Sequence, residues 1–416
     1  MPKEITHCLL AERAAHTMAA SQNPLKRAIG REVYFAFEKN PQLLYFGSVS
    51  PDIFYYDIRM PWEFRVAHRG LAWGELIHGT EGENSLAHVF SMLDILRTPG
   101  LQRSLTAEGR PLNAEECSAL LLFALGYLSH VALDTILHPI VYYYSGNYYA
   151  DDRAEKHRAE ARHRAVETVF DLYNLDTVGS DLRQYRALHK ITLPAKWRDL
   201  TLAFYALSLV EAWPALARQE YGKAGENTHN MRKHPLFKVA LRSYKKQILF
   251  NRIFQNPRLA HWGLGYNRRR ADSLHYNSSL LYPARSYAEY QNDNRGRLFS
   301  VADLTEYRHP LDNRRHPIQH RRISAKVFAR THAFFRAAWL YAAGKSERAA
   351  TERVLRGYSL NNGRVGVPTR AMRFFGPLAI NGNFEYVTAG GGAVRGQHDV
   401  VPAEDRGAES GAGKKI

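Results

Sequence analysis

Along Ser118 to Tyr144, SALLLFALGYLSHVALDTILHPIVYYY, apolar residues fill almost every position, so the helix it predicts is apolar nearly all round and belongs in a core or a membrane. Other segments show one apolar face at helical spacing: Ile5 to Met18, Arg27 to Lys39, Leu86 to Leu96, Arg153 to Tyr173, Leu200 to Ala217 and Ile323 to Ala343. Asn113-Ala-Glu-Glu supplies a capping residue and an acidic first turn directly before the apolar run, and Pro139 is expected to end or kink that helix. Sustained period-two alternation, the mark of strands, is hard to find. The pattern therefore predicts an all-α fold, a helical bundle around a central apolar helix. Residues 1–345 are expected to form one helical domain, with a polar, tyrosine-rich, irregular insertion at about 220–320 that holds short helices at best. Helical periodicity is lost from Gly357, so 346–388 reads as an irregular extension and the Gly-rich 389–416 as a disordered tail.

The central run has polar exceptions. His130, Asp134 and His138 are spaced by four, and helical positions four apart differ by only about 40°, so the three share one stripe. Buried ionisable groups need partners, because an unpaired buried charge costs several kcal/mol or shifts its pKa until it is neutral. A bound metal ion would satisfy all three. The next predicted helix repeats the arrangement with His163, Glu167 and Asp171 on one face, and His157 with Glu160 forms a competing pair among more charges. Ser50-Pro51-Asp52 is a turn that could aim Asp52 inward. Ile77-His78-Gly79-Thr80 offers a histidine at a turn, with His68 and His88 as alternatives, and His7 stands near the start of the first helix.

A membrane span needs about 20 apolar residues. The 118–144 run is long enough but carries His, Asp, His and Pro, and it has no second run of its kind, so it is expected inside the protein. The N-terminus lacks a basic segment followed by an apolar one, which makes the cytoplasm the expected location. Only Cys8 and Cys117 are present, excluding a disulfide scaffold and a four-cysteine zinc site. The net charge of +17, with arginines clustered at Arg268–Arg270 and between Arg308 and Arg322, favours phosphate-bearing partners, either nucleic acid or anionic lipid headgroups.

Taken in chain order, His7, the aspartate of SPD, the histidine of IHGT, then HxxxDxxxHP and HxxxE resemble the zinc-dependent phospholipase C family, which is related in fold to single-strand nucleases of the S1/P1 type. The likeness covers about residues 5–175 in motifs and, more loosely, the helical remainder to about 345. It implies a helical bundle holding two or three Zn2+ ions at the bottom of a cleft and hydrolysing phosphoester bonds. Carried onto this chain, Asp52, His78, His130 and Asp134 would bind one zinc. Asp134 would bridge to a second that also uses His7, and His138, His163 and Glu167 would bind a third. A metal-bound hydroxide would attack phosphorus, with Asp52 orienting it or acting as base. The family's secreted members also bind metal through a processed N-terminal Trp, whereas this chain begins MPKEIT, and their histidine after the helix aspartate lies farther on than His138 does. The implied substrate is a phospholipid headgroup. The alternatives are a P1-type nuclease acting on single-stranded nucleic acid, which the 24 tyrosines could grip by stacking, and a non-enzymatic helical protein with structural metals. Structural zinc sites are closed and often use cysteine, which no candidate position supplies. His and carboxylate ligands also admit manganese or iron.

Overall fold

The computed structural model describes residues 4–60, 63, 67–256, 281–292 and 299–376, and beyond them only two short strands, Glu385–Val387 and Ala393–Arg395, which pair antiparallel. The rest of the expected tail, 389–416, lies outside the described residues. The chain is all-α, as its pattern predicts. Its helices begin with α1 (Glu4–Ala19), α2 (Pro24–Lys39), α3 (Pro41–Val49), α4 (Gly70–His78), α5 (Ala87–Arg97) and the short α6 (Pro99–Gln102). Then come the central α7 (Ala114–Ser145), α8 (Arg153–Asp176), the short α9 (Leu182–Tyr185) and α10 (Ala187–Ile191), α11 (Ala195–Ala212), α12 (Pro214–Tyr221) and α13 (Pro235–Phe254). Farther on are the helices Tyr287–Asn292, His320–Ala342 and Arg348–Val354, and a hairpin that pairs Glu306–Arg308 with Arg315–Pro317.

Helix α7 starts where the sequence places it. Asn113 Oδ1 accepts from the Glu116 N–H at 2.9 Å while Glu116 accepts from the Asn113 N–H at 2.8 Å, a reciprocal capping box. The helix does not end at Pro139 but runs on to Ser145. It passes the length and composition test for a membrane span, yet 89 % of its most apolar window is buried inside the protein, against α1, α3, α5, α8 and the helix His320–Ala342. Packing on all sides, not lipid, explains its all-round apolarity.

Two departures from the sequence pattern have local causes. The helix expected over Leu200–Ala217 is broken at Trp213, because the residue before a proline disfavours helical backbone; α11 and the following segment bend by 105° there. Within 220–320, the described residues include a longer helix than expected. Pro235 at the first helical position and His234 Nδ1, which accepts from the Leu236 N–H at 3.1 Å, start the 20-residue α13. Its lysines and arginines had masked an apolar face of Leu236, Val239, Ala240 and Tyr244.

One crossing positions the site. A Cβ on Gly47 of α3 would stand 2.1 Å from the Phe123 carbonyl oxygen, and one on Gly126 of α7 would stand 2.2 Å from the Leu44 carbonyl oxygen. The two backbones therefore touch, and the turn that follows α3 is set against the polar stripe of α7. We predict that Gly126→Ala destabilises the fold by about 2–3 kcal/mol, the cost of overpacking a site with no room to yield. Gly100→Ala, at an exposed helical position with nothing near its Cβ, should be neutral or slightly stabilising. Urea denaturation of both variants checks this, and equal stabilities would refute the close-approach reading.

Candidate metal centre

Five elements deliver the polar groups. Helix α1 brings His7, and its first turn is tied down by α8: the Asp171 carboxylate accepts from the Ile5 N–H (3.2 Å), the Thr6 N–H (2.8 Å), the Thr6 hydroxyl (2.6 Å) and the Tyr282 hydroxyl (2.7 Å). Helix α1 has free N–H groups at its start, so an acidic residue from another helix satisfies them and also suits the positive end of the dipole. The 3-10 turn Ser50–Tyr56 carries Asp52. Helix α4 ends on His78, where Gly79 turns the chain with a φ of +68°. His130, Asp134 and His138 come from α7, His163 and Glu167 from α8. None of these eight side chains belongs to a residue more than 3 % exposed.

Their ligand atoms converge in three groups, each within 4.8 Å: Asp52, His78 and His130; His7, His130 and Asp134; His138, His163 and Glu167. The groups are continuous with one another. Asp134 Oδ1 is 3.4 Å from His7 Nε2, while Oδ2 is 2.8 Å from His130 Nε2 and 3.5 Å from His138 Nε2. His138 Nε2 in turn is 3.8 Å from Glu167 Oε1, which is 2.8 Å from His163 Nε2, and His78 Nε2 is 3.1 Å from Asp52 Oδ1. Two ligands at zinc bond lengths around a tetrahedral ion stand about 3.3 Å apart, within the range spanned by these separations.

The hydrogen positions can be deduced. His78 Nδ1 lies 2.8 Å from the Gly74 carbonyl oxygen, His130 Nδ1 2.8 Å from that of Ser48, and His138 Nδ1 2.9 Å from that of Leu360. A carbonyl only accepts, so each Nδ1 carries a hydrogen and each ring turns its Nε2 inward. Such carbonyl-anchored imidazoles are the usual support of metal-ligating histidines. Among the described residues, His130 Nε2, His138 Nε2, both nitrogens of His7 and both oxygens of Asp134 make no hydrogen bond. His130 Nε2 and Asp134 Oδ2 stand 2.8 Å apart without a hydrogen bond between them, both facing a common point. A donor set of imidazole nitrogens and carboxylate oxygens around such a point fits a zinc-type cation.

The electrostatics differ from group to group. Burial pushes His7 well below the usual histidine value, and the neighbouring His130 pushes it further, so it is neutral and able to ligate. His130 itself is raised: burial lowers it, but the Asp134 and Asp52 carboxylates outweigh burial. Asp52 is lowered, burial being overcome by His130 and His78, and so is Glu167, where His163 overcomes burial. Asp134 goes the other way, raised chiefly by burial. A carboxylate placed this deep calls for more positive charge than imidazoles supply.

Other candidates fall elsewhere. His68 faces Asp57 and Glu63, in a network that Arg242 and Lys246 complete. Asp171 caps α1 instead of joining the ligands, and Cys8 turns away toward the Tyr45 carbonyl. His157 and Glu160 lie in none of the three groups. The carbonyls of Ser48, Gly74 and Leu360 escape any reading of side-chain spacing, since backbone acceptors have no residue signature.

His88 sits among the rings of Tyr127, Tyr205 and Trp213, with both nitrogens unbonded among the described residues. Burial lowers its pKa to about 3. In the unfolded chain it titrates near about 6.5, so between those values the unfolded state binds one proton more. Its contribution to stability is complete above that upper value and is lost as pH falls toward the lower, at up to about 1.4 kcal/mol per pH unit. We predict that His88→Phe flattens the stability–pH slope between about pH 6 and about pH 4, measured by urea denaturation; an unchanged slope would contradict a buried neutral ring.

The family model for zinc-dependent phospholipase C matches residues 6–222, an interval that contains all eight convergent side chains. No curated protein and no solved structure matches the chain. The match spans just over half of the chain and coincides with the bundle that carries the site, so the chain belongs to the zinc-dependent phospholipase C family.

Proposed function

We propose that this protein is a zinc-dependent phosphodiester hydrolase of the phospholipase C type. The observation that carries the reading is the buried convergence of five imidazoles and three carboxylates, whose ligand atoms fall into three groups each within 4.8 Å. Asp52, His78 and His130 would hold one zinc, and His138, His163 and Glu167 another. Asp134, whose two oxygens face different histidines, would bridge to the position that His7 completes. Bound zinc would supply Lewis acidity, lowering the pKa of water and offsetting charge on the phosphoryl oxygens.

The chain's own residues do the rest. Asp52 is an anion at neutral pH, so it orients a water molecule and receives its proton as the new P–O bond forms and the old one breaks, giving a phosphomonoester and an alcohol. Three carboxylates leave two or three divalent ions incompletely neutralised, which favours a negatively charged phosphodiester over a neutral ester. The rings of Tyr55, Tyr142 and Tyr148 stand 4.9 Å, 4.9 Å and 5.3 Å from those of His78, His163 and His163, giving the site aromatic walls.

A phospholipid headgroup is the substrate we favour over single-stranded nucleic acid. Part of the basic surface that suggested nucleic acid is internally paired, Arg314 with Asp312 and Arg315 with Glu306, while Arg268–Arg270 lies outside the described residues. We also place the protein in the cytoplasm as part of this proposal. Zinc-loaded protein should hydrolyse phosphatidylcholine vesicles and bis(p-nitrophenyl) phosphate and leave single-stranded DNA intact. Asp52→Asn should lower turnover by about a hundredfold or more. His163→Ala should remove about one equivalent of zinc in elemental analysis. Folded, zinc-bearing wild type without activity on any phosphodiester would overturn the hydrolase reading, and cleavage of DNA without lipid would move it to the nuclease.

A further inference from the structure

The family match ends at residue 222, but the support of the ligands does not. Residues 358–369 return from the far end of the chain and are buried beside His78 and His138: Ser359, Leu360, Asn361, Asn362 and Thr369 are all 3 % exposed or less. The Leu360 carbonyl takes the Nδ1–H of His138. The Asn361 N–H donates to the His78 carbonyl at 3.3 Å, and the Ser359 hydroxyl donates to the same oxygen at 3.3 Å and to that of Gly79 at 3.2 Å. The Thr369 N–H donates to the Thr80 carbonyl at 2.7 Å, and Gly366 N–H to that of Gly82 at 2.7 Å. Two separate ligand histidines are thus held from one loop.

Asn361 locks that loop in place. Its Oδ1 accepts from the Tyr142 hydroxyl at 3.1 Å, and its Nδ2 donates to Thr369 Oγ1 at 3.1 Å and to Thr80 Oγ1 at 3.3 Å. It therefore joins the loop after α4, the end of α7 and its own segment. Pro139 has no N–H to offer the Thr135 carbonyl, and Gly363 of the same loop sits over that oxygen, where a Cβ would be 3.3 Å away. The loop fits the place where Pro139 leaves α7 without a ladder bond.

We propose that residues 358–369 are a clasp of the metal centre, with Asn361 as the positioning residue that keeps the Leu360 carbonyl on His138 and so keeps its Nε2 lone pair turned inward. The inference rests on His138 and His78 being ligands, and it assigns part of the centre to a segment outside the family match. Losing such outer support typically weakens metal binding by about ten- to a hundredfold.

The test uses the full chain labelled with 15N-histidine. In wild type, His78, His130 and His138 should each show a slowly exchanging Nδ1–H resonance. Asn361→Ala should shift or broaden that of His138 and leave that of His130, anchored on Ser48, in place; zinc affinity, measured by competition with a chromophoric chelator, should fall about tenfold or more. Should Asn361→Ala lose all three resonances through misfolding, Tyr142→Phe, which removes only the hydroxyl that Asn361 accepts, decides in its stead, with the same shift and a loss of a few-fold. Unchanged His138 resonance and zinc affinity within twofold of wild type would overturn the proposal. Wild type that binds no zinc would instead sink the metal reading, and the resonances would still test the clasp.

Discussion

Three imidazole rings, at His78, His130 and His138, spend their Nδ1–H groups on backbone carbonyls and so turn their Nε2 atoms toward carboxylates in a buried interior. The Asp134 carboxylate stands 2.8–3.5 Å from three imidazole nitrogens without a hydrogen bond, and in a low-dielectric setting a buried carboxylate left so costs several kcal/mol. One proton can relieve one such pair. A divalent cation relieves several at once, which is why the arrangement suits a metal better than an ion-pair network. A metal bound there would contribute to the folding free energy, since the candidate ligands are brought together only by the fold.

Backbone devices set the geometry that this constraint demands. Gly47 and Gly126 let α3 and α7 touch, which brings the Ser48 carbonyl to His130 and Asp52 to the same side. Asp171, sharing a stripe with His163 and Glu167, fixes the first turn of α1 and with it His7. Leu360 does for His138 what Ser48 does for His130, from a segment more than two hundred residues away in sequence. The candidate ligands His7, His78, His130 and His138 are each positioned by a group outside the candidate set.

Much of this is legible in the chain. The stripe His130, Asp134, His138 stands out because its polar residues interrupt an otherwise apolar helix, and the fold class follows from helical spacing alone. Less legible is everything that depends on backbone groups or on distant chain segments. Asp171 has the same spacing as a ligand but becomes a cap, because only the packing of α1 decides what it meets. The loop 358–369 lacks periodicity and so reads as an extension, although its hydrogen bonds go to the centre of the molecule. Helix α13 is concealed by its own lysines and arginines, and α11 ends early because Pro214 acts through the residue before it.

Zinc K-edge X-ray absorption on protein purified without chelator or a histidine tag tests the central claim most directly. The arrangement of His and carboxylate donors predicts a first shell of nitrogen and oxygen alone at about 2.0–2.1 Å, with the outer-shell scattering of imidazole rings. A sulfur shell near about 2.3 Å, or folded protein without zinc, would contradict it.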